Sequence, residues 1–301
     1  MNPTVALRLS ELAYLRVSGA DTRAFLQGQL SSDLRRLDAA RAQLSSYNSP
    51  KGRMLAVMHL IADDETVLIE LHRSILDATL ARLRLFVLRS QVRLEPADGL
   101  SAMGLIGAAA ARLLGDAGLP APEQVLACAR DPARGLIVTR RFGETPRYSI
   151  VGPHAAIDAL AAVWTPLCGF EAWRHADIIA GVPVVHAQTR DRFIPQMANL
   201  DLLGGIAFDK GCYTGQEIVA RLHYLGQLKR RMFVARIEGR APAPGAEVVA
   251  QEPPVPAGEI VDAVDTEGGA IATVVLQLAH RDAALRLAEG PRLTIVDGPA
   301  D

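Results

Sequence analysis

The sequence predicts an α+β fold. Antiparallel sheets covered on one side by helices occupy residues 1–228, in two interleaved subdomains, and a small β module occupies residues 229–301. Three observations predict it. Short alternating apolar segments interleave with amphipathic helical stretches, the pattern of hairpins backed by helices rather than of a parallel sheet. After Arg231 the helical pattern stops, and Pro242, Pro244, Pro253, Pro254 and Pro256 punctuate strands rich in valine and glycine. A chain of 301 residues that is 50% hydrophobic exceeds what one core usually organises and favours two or three packed units.

Taken in order, residues 4–9 and 14–17 read as strands. A helix opens at Asp21, with Leu26, Leu30 and Leu34 as its apolar stripe. Residues 54–61 and 66–71 are consecutive strands joined by the acidic turn Asp63-Asp64-Glu65. Ser74 caps the next helix, whose apolar face carries Leu76, Leu80, Leu83 and Val87. Residues 102–106 form a strand leading into an alanine-rich helix over 108–114, and Gly104 and Gly107 here are explained by helix–strand packing better than by a dinucleotide turn. Strands follow at 136–139 and 148–151, then a helix at 155–163. In the C-terminal module, residues 232–237, 271–278 and 293–296 are strands.

Composition narrows the function classes. A net charge of −1 provides no global basic field, so any RNA contact needs a local patch. Cys128, Cys168 and Cys212 are far apart with no CxxC spacing, which argues against a disulfide framework and predicts a reducing cytoplasm. The same spacing predicts no structural metal. No apolar run approaches a membrane span and no signal-peptide core opens the chain, so no membrane association is expected.

The most informative stretch is Asp209-Lys210-Gly211-Cys212-Tyr213-Thr214-Gly215-Gln216-Glu217, running on to Arg221. Thr214 and Glu217 fit a capping box, and Glu217 and Arg221 share a helix face four residues apart. Cys212 would then lie outside a helix N-terminus beside Lys210, a setting that favours thiolate over thiol. The competing reading is a small buried residue in a tight glycine turn. Asp209 and His223 are near in sequence, but no nucleophilic triad is visible, and His223 reads as a polar face residue.

This stretch resembles the signature of the YgfZ family, folate-binding proteins related to the aminomethyltransferase of the glycine cleavage system. The resemblance continues in Phe193-Ile194-Pro195-Gln196-Met197-Ala198-Asn199-Leu200, Gly204-Gly205-Ile206, Phe25-Leu26-Gln27-Gly28-Gln29-Leu30 and Pro50-Lys51-Gly52-Arg53-Met54. It covers most of residues 14–231. It implies a ring of antiparallel α+β domains completed by a C-terminal β-barrel, a functional thiol at Cys212 with Lys210 beside it, and support of iron–sulfur enzymes, including those that methylthiolate tRNA. It also implies tetrahydrofolate as cofactor, with contacts from Trp173, Gln196, Asn199, Tyr213, Gln216, Glu217 and Arg221.

The chain departs from the relatives' pattern in two places. Ile179 stands where related transferases hold the pterin with a glutamate, and the second folate-associated tryptophan position is Leu12. Unpaired pterin donors in a buried pocket cost on the order of 1–3 kcal/mol. Leu55 and Ala56 occupy the positions of the transferase's acidic pair, so aminomethyl transfer, the rival enzymatic reading, has no acid or base there. For Trp173, stacking on folate and ordinary core packing stand level. A second rival is a tRNA-binding module, in which Lys229-Arg230-Arg231 with Arg221 and Lys210 forms a local basic surface. Against it stands the plainer reading of a solvated domain junction with few aromatics nearby.

Overall fold

The computed structural model describes residues 4–251 and 254–299, so Pro253 lies outside the described residues. The chain forms two compact units that do not follow a single cut in the sequence. One comprises the stretch ending at Gln27, Asp33–Leu44 and Met58–Trp173; the other comprises Gly28–Ser32, Ser45–Val57 and the chain from Arg174 onward.

In chain order the elements up to Ile179 are β1 (Val5–Arg8), β2 (Leu12–Ser18), α1 (Thr22–Gln29), β3 (Gln43–Asn48), β4 (Met54–Asp63), β5 (Thr66–His72), α2 (Leu76–Arg84), β6 (Arg93–Pro96), β7 (Leu100–Ile106), α3 (Ala110–Asp116), β8 (Cys128–Asp131), β9 (Leu136–Arg140), β10 (Arg147–Pro153), α4 (His154–Val163) and α5 (Glu171–Ile179). The division between units falls inside α1, β3, β4 and α5.

Two antiparallel sheets contribute strands to the first unit. One has the order β1-β7-β10-β9-β8, with Val5 opposite Ile106 and Tyr148 opposite Leu105. Met103, Leu105 and Ile150 on this sheet share a core with Leu114 of α3 and with Ile157 and Leu160 of α4, so helices cover one face as the interleaved pattern predicts. The other sheet has the order β3-β4-β5-β2-β6, and Met58–Asp63 pairs β5 through the hairpin at Asp64 and Glu65.

A charged group is sealed into this unit. Burial of Glu70 on β5 pushes its carboxyl up, but the paired Arg141 guanidinium and His59, 3.4 Å away, hold it well below the usual carboxylate range. Tyr14 donates its hydroxyl to the same carboxylate at 2.9 Å. Trp173 on α5 is 1% exposed, in a core with Leu7, Phe170 and Val151. Gly104 on β7 is what admits it: a Cβ there would lie 2.7 Å from the indole. The Arg141 and Arg147 guanidiniums lie over the ring, 5.7 and 5.0 Å from its centroid.

Two local expectations are corrected. Helix α1 ends at Gln29; Leu30 instead bridges to Tyr47, and Leu34 opens a 3-10 turn capped by Asp33. All three stripe leucines are still buried, so the spacing marks burial across a helix end. Ser74 caps no α-helix: a 3-10 turn over Arg73–Ile75 precedes α2, and the ring of His72 accepts from the Ser74 amide.

The second unit carries α6 (Gln216–Tyr224) and a six-stranded barrel of β11 (Arg230–Ile237), β12 (Glu247–Gln251), β13 (Pro254–Thr266), β14 (Gly269–Gln277), β15 (Leu285–Leu287) and β16 (Arg292–Asp297). The closed order is β11-β14-β13-β12-β15-β16, with Ile237 opposite Leu293 at the closure. Alternate residues such as Phe233, Ala235, Ile260, Val274 and Leu276 fill its interior. Asp262 of β13, buried, accepts from Arg174 at 2.5 Å and lies 3.1 Å from His186 Nε2. Burial raises its pKa, yet the His186 and Arg174 bonds outweigh that and lower it overall.

Candidate functional site

The cysteine stretch lies in the second unit and is irregular from Phe208 to Gly215. Its anchor is Lys210. That side chain is 7% exposed and its ammonium donates to the carbonyls of Leu30 at 2.6 Å and Ser32 at 2.7 Å. Those carbonyls lie just past the end of α1, and an ammonium is a compact source of up to three donors. The same ammonium lies 5.1 Å from the centroid of the buried Tyr213 ring. Burial pushes the Tyr213 phenol up to about 12, which keeps it neutral.

Ser31 adds a second clasp. Its hydroxyl donates to Gly205 at 2.6 Å and accepts from the Ser46 amide at 2.8 Å, while its carbonyl accepts from the Ala207 amide. The run entering the cysteine stretch is thereby held to the segment that follows α1.

Glycine is required at two positions where loops meet. Gly215 has a φ of 80°, and a Cβ there would overlap the Ser49 carbonyl and lie 2.9 Å from Gly52 Cα. Gly52 has a φ of 70°, and its Cβ would lie 2.7 Å from that of Ile218. The loop at Pro50–Arg53 and the turn before α6 therefore meet backbone to backbone. Gly211 has open space around it and needs no such account.

The expected capping box is not formed. Gly215, left-handed, takes the N-cap position of α6, and no side chain caps the helix. Thr214 is thereby one residue outside, and Glu217 is at the second helical position rather than the third. Cys212 stands three residues ahead of the cap, exposed, at the surface of a turn whose neighbours Lys210 and Tyr213 are buried. The Lys210 charge is directed at carbonyls, so the part this lysine plays in the folded chain is to hold the turn.

The other expected contacts divide. Gln196 donates from Nε2 to the Val219 carbonyl at 2.6 Å, fastening α6 to the 3-10 turn Pro195–Ala198. Asn199, left-handed at φ 58°, donates to the Met232 carbonyl at 2.8 Å and accepts from its amide, fastening that turn to β11. Gln216 reaches the Lys210 carbonyl at 3.5 Å, and Glu217 and Arg221 face solvent on α6. Trp173 belongs to the first unit, where it takes the packing role described above. The basic surface loses two of its five members: Lys210 is buried, and Arg231 is held by Asp201 at 2.7 and 2.9 Å.

Pterin recognition can be tested against the residues present. Ile179, at the end of α5, is 50% exposed and flanks a cavity of about 170 Å³ with Leu203, Met232 and Phe233, which Asn199 and Asp297 also line. An alkyl chain accepts no hydrogen bond, so this position does not fit a pterin held by a carboxylate. Elsewhere in the unit, the buried amide of Asn48 and Gln196 Oε1 make no hydrogen bond to protein among the described residues. Buried polar groups of this kind are satisfied by a ligand or by water. Leu55 and Ala56 are both buried in β4 and provide no carboxylate.

One grouping escaped the sequence reading. Phe208 and His223 stack face to face, centroids 3.7 Å apart at 11°, and Tyr224 stands edge-on to both. His223 is exposed on α6, as expected of a polar face residue, and is in addition a ring partner; adjacent aromatics at the end of α6 are the signal in the sequence. Among the described residues no group of three or more His, Cys, Asp or Glu side chains could hold a metal ion, and no helix is long and apolar enough to cross a membrane.

Known proteins resemble the chain over most of its length. A tRNA-modifying protein YgfZ of Colwellia psychrerythraea is 29% identical over 250 residues, covering 83% of this chain and 76% of that protein. The tRNA-modifying protein YgfZ of Sodalis glossinidius is 32% identical over 247 residues, covering 81% and 74%. Among solved structures, the glycine cleavage system aminomethyltransferase T of Bartonella henselae shares the fold, with a TM-score of 0.78 over 97% of this chain and 84% of that one, at 17% identity. No protein-family model matches.

Proposed function

The chain belongs to the YgfZ family, and on that premise we propose that it is a cytoplasmic accessory protein of tRNA modification that acts through the exposed thiol of Cys212. Its proposed partners are iron–sulfur enzymes or their assembly proteins, with tRNA methylthiolation as the process supported. One observation carries the reading: Cys212 is presented to solvent on a turn fixed from beneath by Lys210 and closed by Gly215 against Gly52. An exposed thiol is accessible to a reactant or partner, as a buried one is not.

Tetrahydrofolate is the ligand that this reading brings with it. Ile179 lowers its expected affinity, and no step is derived through it. Folate-dependent aminomethyl transfer is the weaker alternative, because Leu55 and Ala56 leave the acidic positions without a proton donor or acceptor. The test is rescue of tRNA methylthiolation by this chain in a strain lacking its own YgfZ gene. Restored methylthiolation supports the reading, and absent rescue at normal protein abundance sinks it.

A further inference from the structure

We propose that the aromatic cluster at the C-terminal end of α6 is a contact for single-stranded RNA, with an unpaired base stacked on its exposed rings and Arg221, Lys229 and Arg230 meeting the phosphates. The proposal rests on the tRNA-modification reading and adds where RNA touches the chain. Phe208 and His223 already form a parallel two-ring stack, so the platform needs little ordering when a base arrives. Tyr224, edge-on to that stack, is 64% exposed, and Leu225 beside it is 86% exposed. The exposed rings of His223 and Tyr224 leave aromatic surface uncovered at the end of the helix, and Leu225 follows them in the chain.

The cations close to the cluster in sequence favour one occupant. Arg221 lies one turn back from Leu225 on α6, and Lys229 and Arg230 follow the helix; all three face solvent. On α6 the opposing charge, Glu217, lies seven residues from Tyr224, about 10 Å along the axis. Asp209, next to Phe208, is the acidic residue nearest in sequence. Planar rings with Arg221 on the same helix, and Lys229 and Arg230 five and six residues beyond Tyr224, suit the π-face and phosphate of an unpaired nucleotide, whereas an aliphatic protein segment would call for a groove.

The test is fluorescence anisotropy of a labelled, unstructured oligoribonucleotide with the full chain, at about 50 and about 200 mM salt. Tyr224→Ala is expected to weaken binding about 5- to 150-fold while leaving the salt dependence unchanged. Tyr224→Phe is expected to bind as the wild type does. Arg230→Ala is expected to lower the slope of log affinity against log salt by about 0.7. Undetectable binding at low salt, or Tyr224→Ala binding like the wild type, overturns the proposal. So does a finding that Tyr224 engages a protein while the RNA stays free. The rescue assay separates the two readings: methylthiolation restored by a chain that does not bind the oligoribonucleotide removes this contact and leaves the function standing.

Discussion

The Lys210 ammonium donates to the backbone carbonyl of Leu30 at 2.6 Å, across 180 positions of sequence. It makes the same bond to Ser32 at 2.7 Å, so one side chain closes the cysteine turn onto the residues that follow α1. A charge this deeply buried is tolerated because carbonyl oxygens replace its water. The thiol two residues on is exposed as the lysine is drawn inward.

Lys210→Met removes these charged hydrogen bonds and leaves two carbonyls without their partner. It is expected to destabilise the chain by about 3 kcal/mol. Urea unfolding monitored by circular dichroism checks this; a midpoint equal to the wild type's would show that the bonds contribute nothing.

Gly215→Ala imposes a left-handed backbone on a residue with a Cβ and drives that atom into the Ser49 carbonyl. The conformational term alone is about 1–2 kcal/mol, and the overlap adds to it. The same denaturation experiment should show a loss above about 2 kcal/mol. Gly211→Ala, with open space around it, should be near neutral by comparison.

Asp262 makes stability depend on pH. Its pKa in the folded chain lies below the unfolded value of about 3.9. The stability contributed by the ionised carboxylate is therefore complete above about pH 5 and is lost as pH falls through the unfolded and then the lower folded value. Asp262→Asn should destabilise the chain at neutral pH, because the Arg174 guanidinium loses its carboxylate partner and keeps neutral acceptors such as the Ala263 carbonyl, and should make the acid limb of the stability curve less steep. A wild-type acid limb retained in the variant would assign that limb to other carboxylates.

Ile179→Glu places an acceptor at a half-exposed position where a charge stays solvated. Calorimetric titration with tetrahydrofolate should then show affinity raised about 5- to 150-fold, the equivalent of about 1–3 kcal/mol. Unchanged affinity would mean that the pterin is held elsewhere, with the unpaired amide of Asn48 the next residue to change.

The sequence was legible where local rules decide. The helices over α2 and α4 and the strands of β4, β5 and β7 follow from periodicity, because side chains within one element decide their own burial. Thr214 misled because Gly215, one residue later, fits the loop against Gly52 and so takes the cap position. The stack of Phe208 on His223 and the bond from Lys210 to Leu30 join residues far apart in sequence, and no periodicity encodes such meetings. Strand β12 pairs with β13 and β15, and β15 is three residues long, so segments this short carry too little alternation to be read as strands.

The central claim is that the exposed Cys212 thiol carries the function. The direct measurement is tRNA methylthiolation, quantified by mass spectrometry, in a strain lacking its own YgfZ gene and supplied with Cys212→Ala at wild-type abundance. Failure of that variant to restore methylthiolation, while the wild-type chain does restore it, is the predicted result. Full restoration by Cys212→Ala would contradict it.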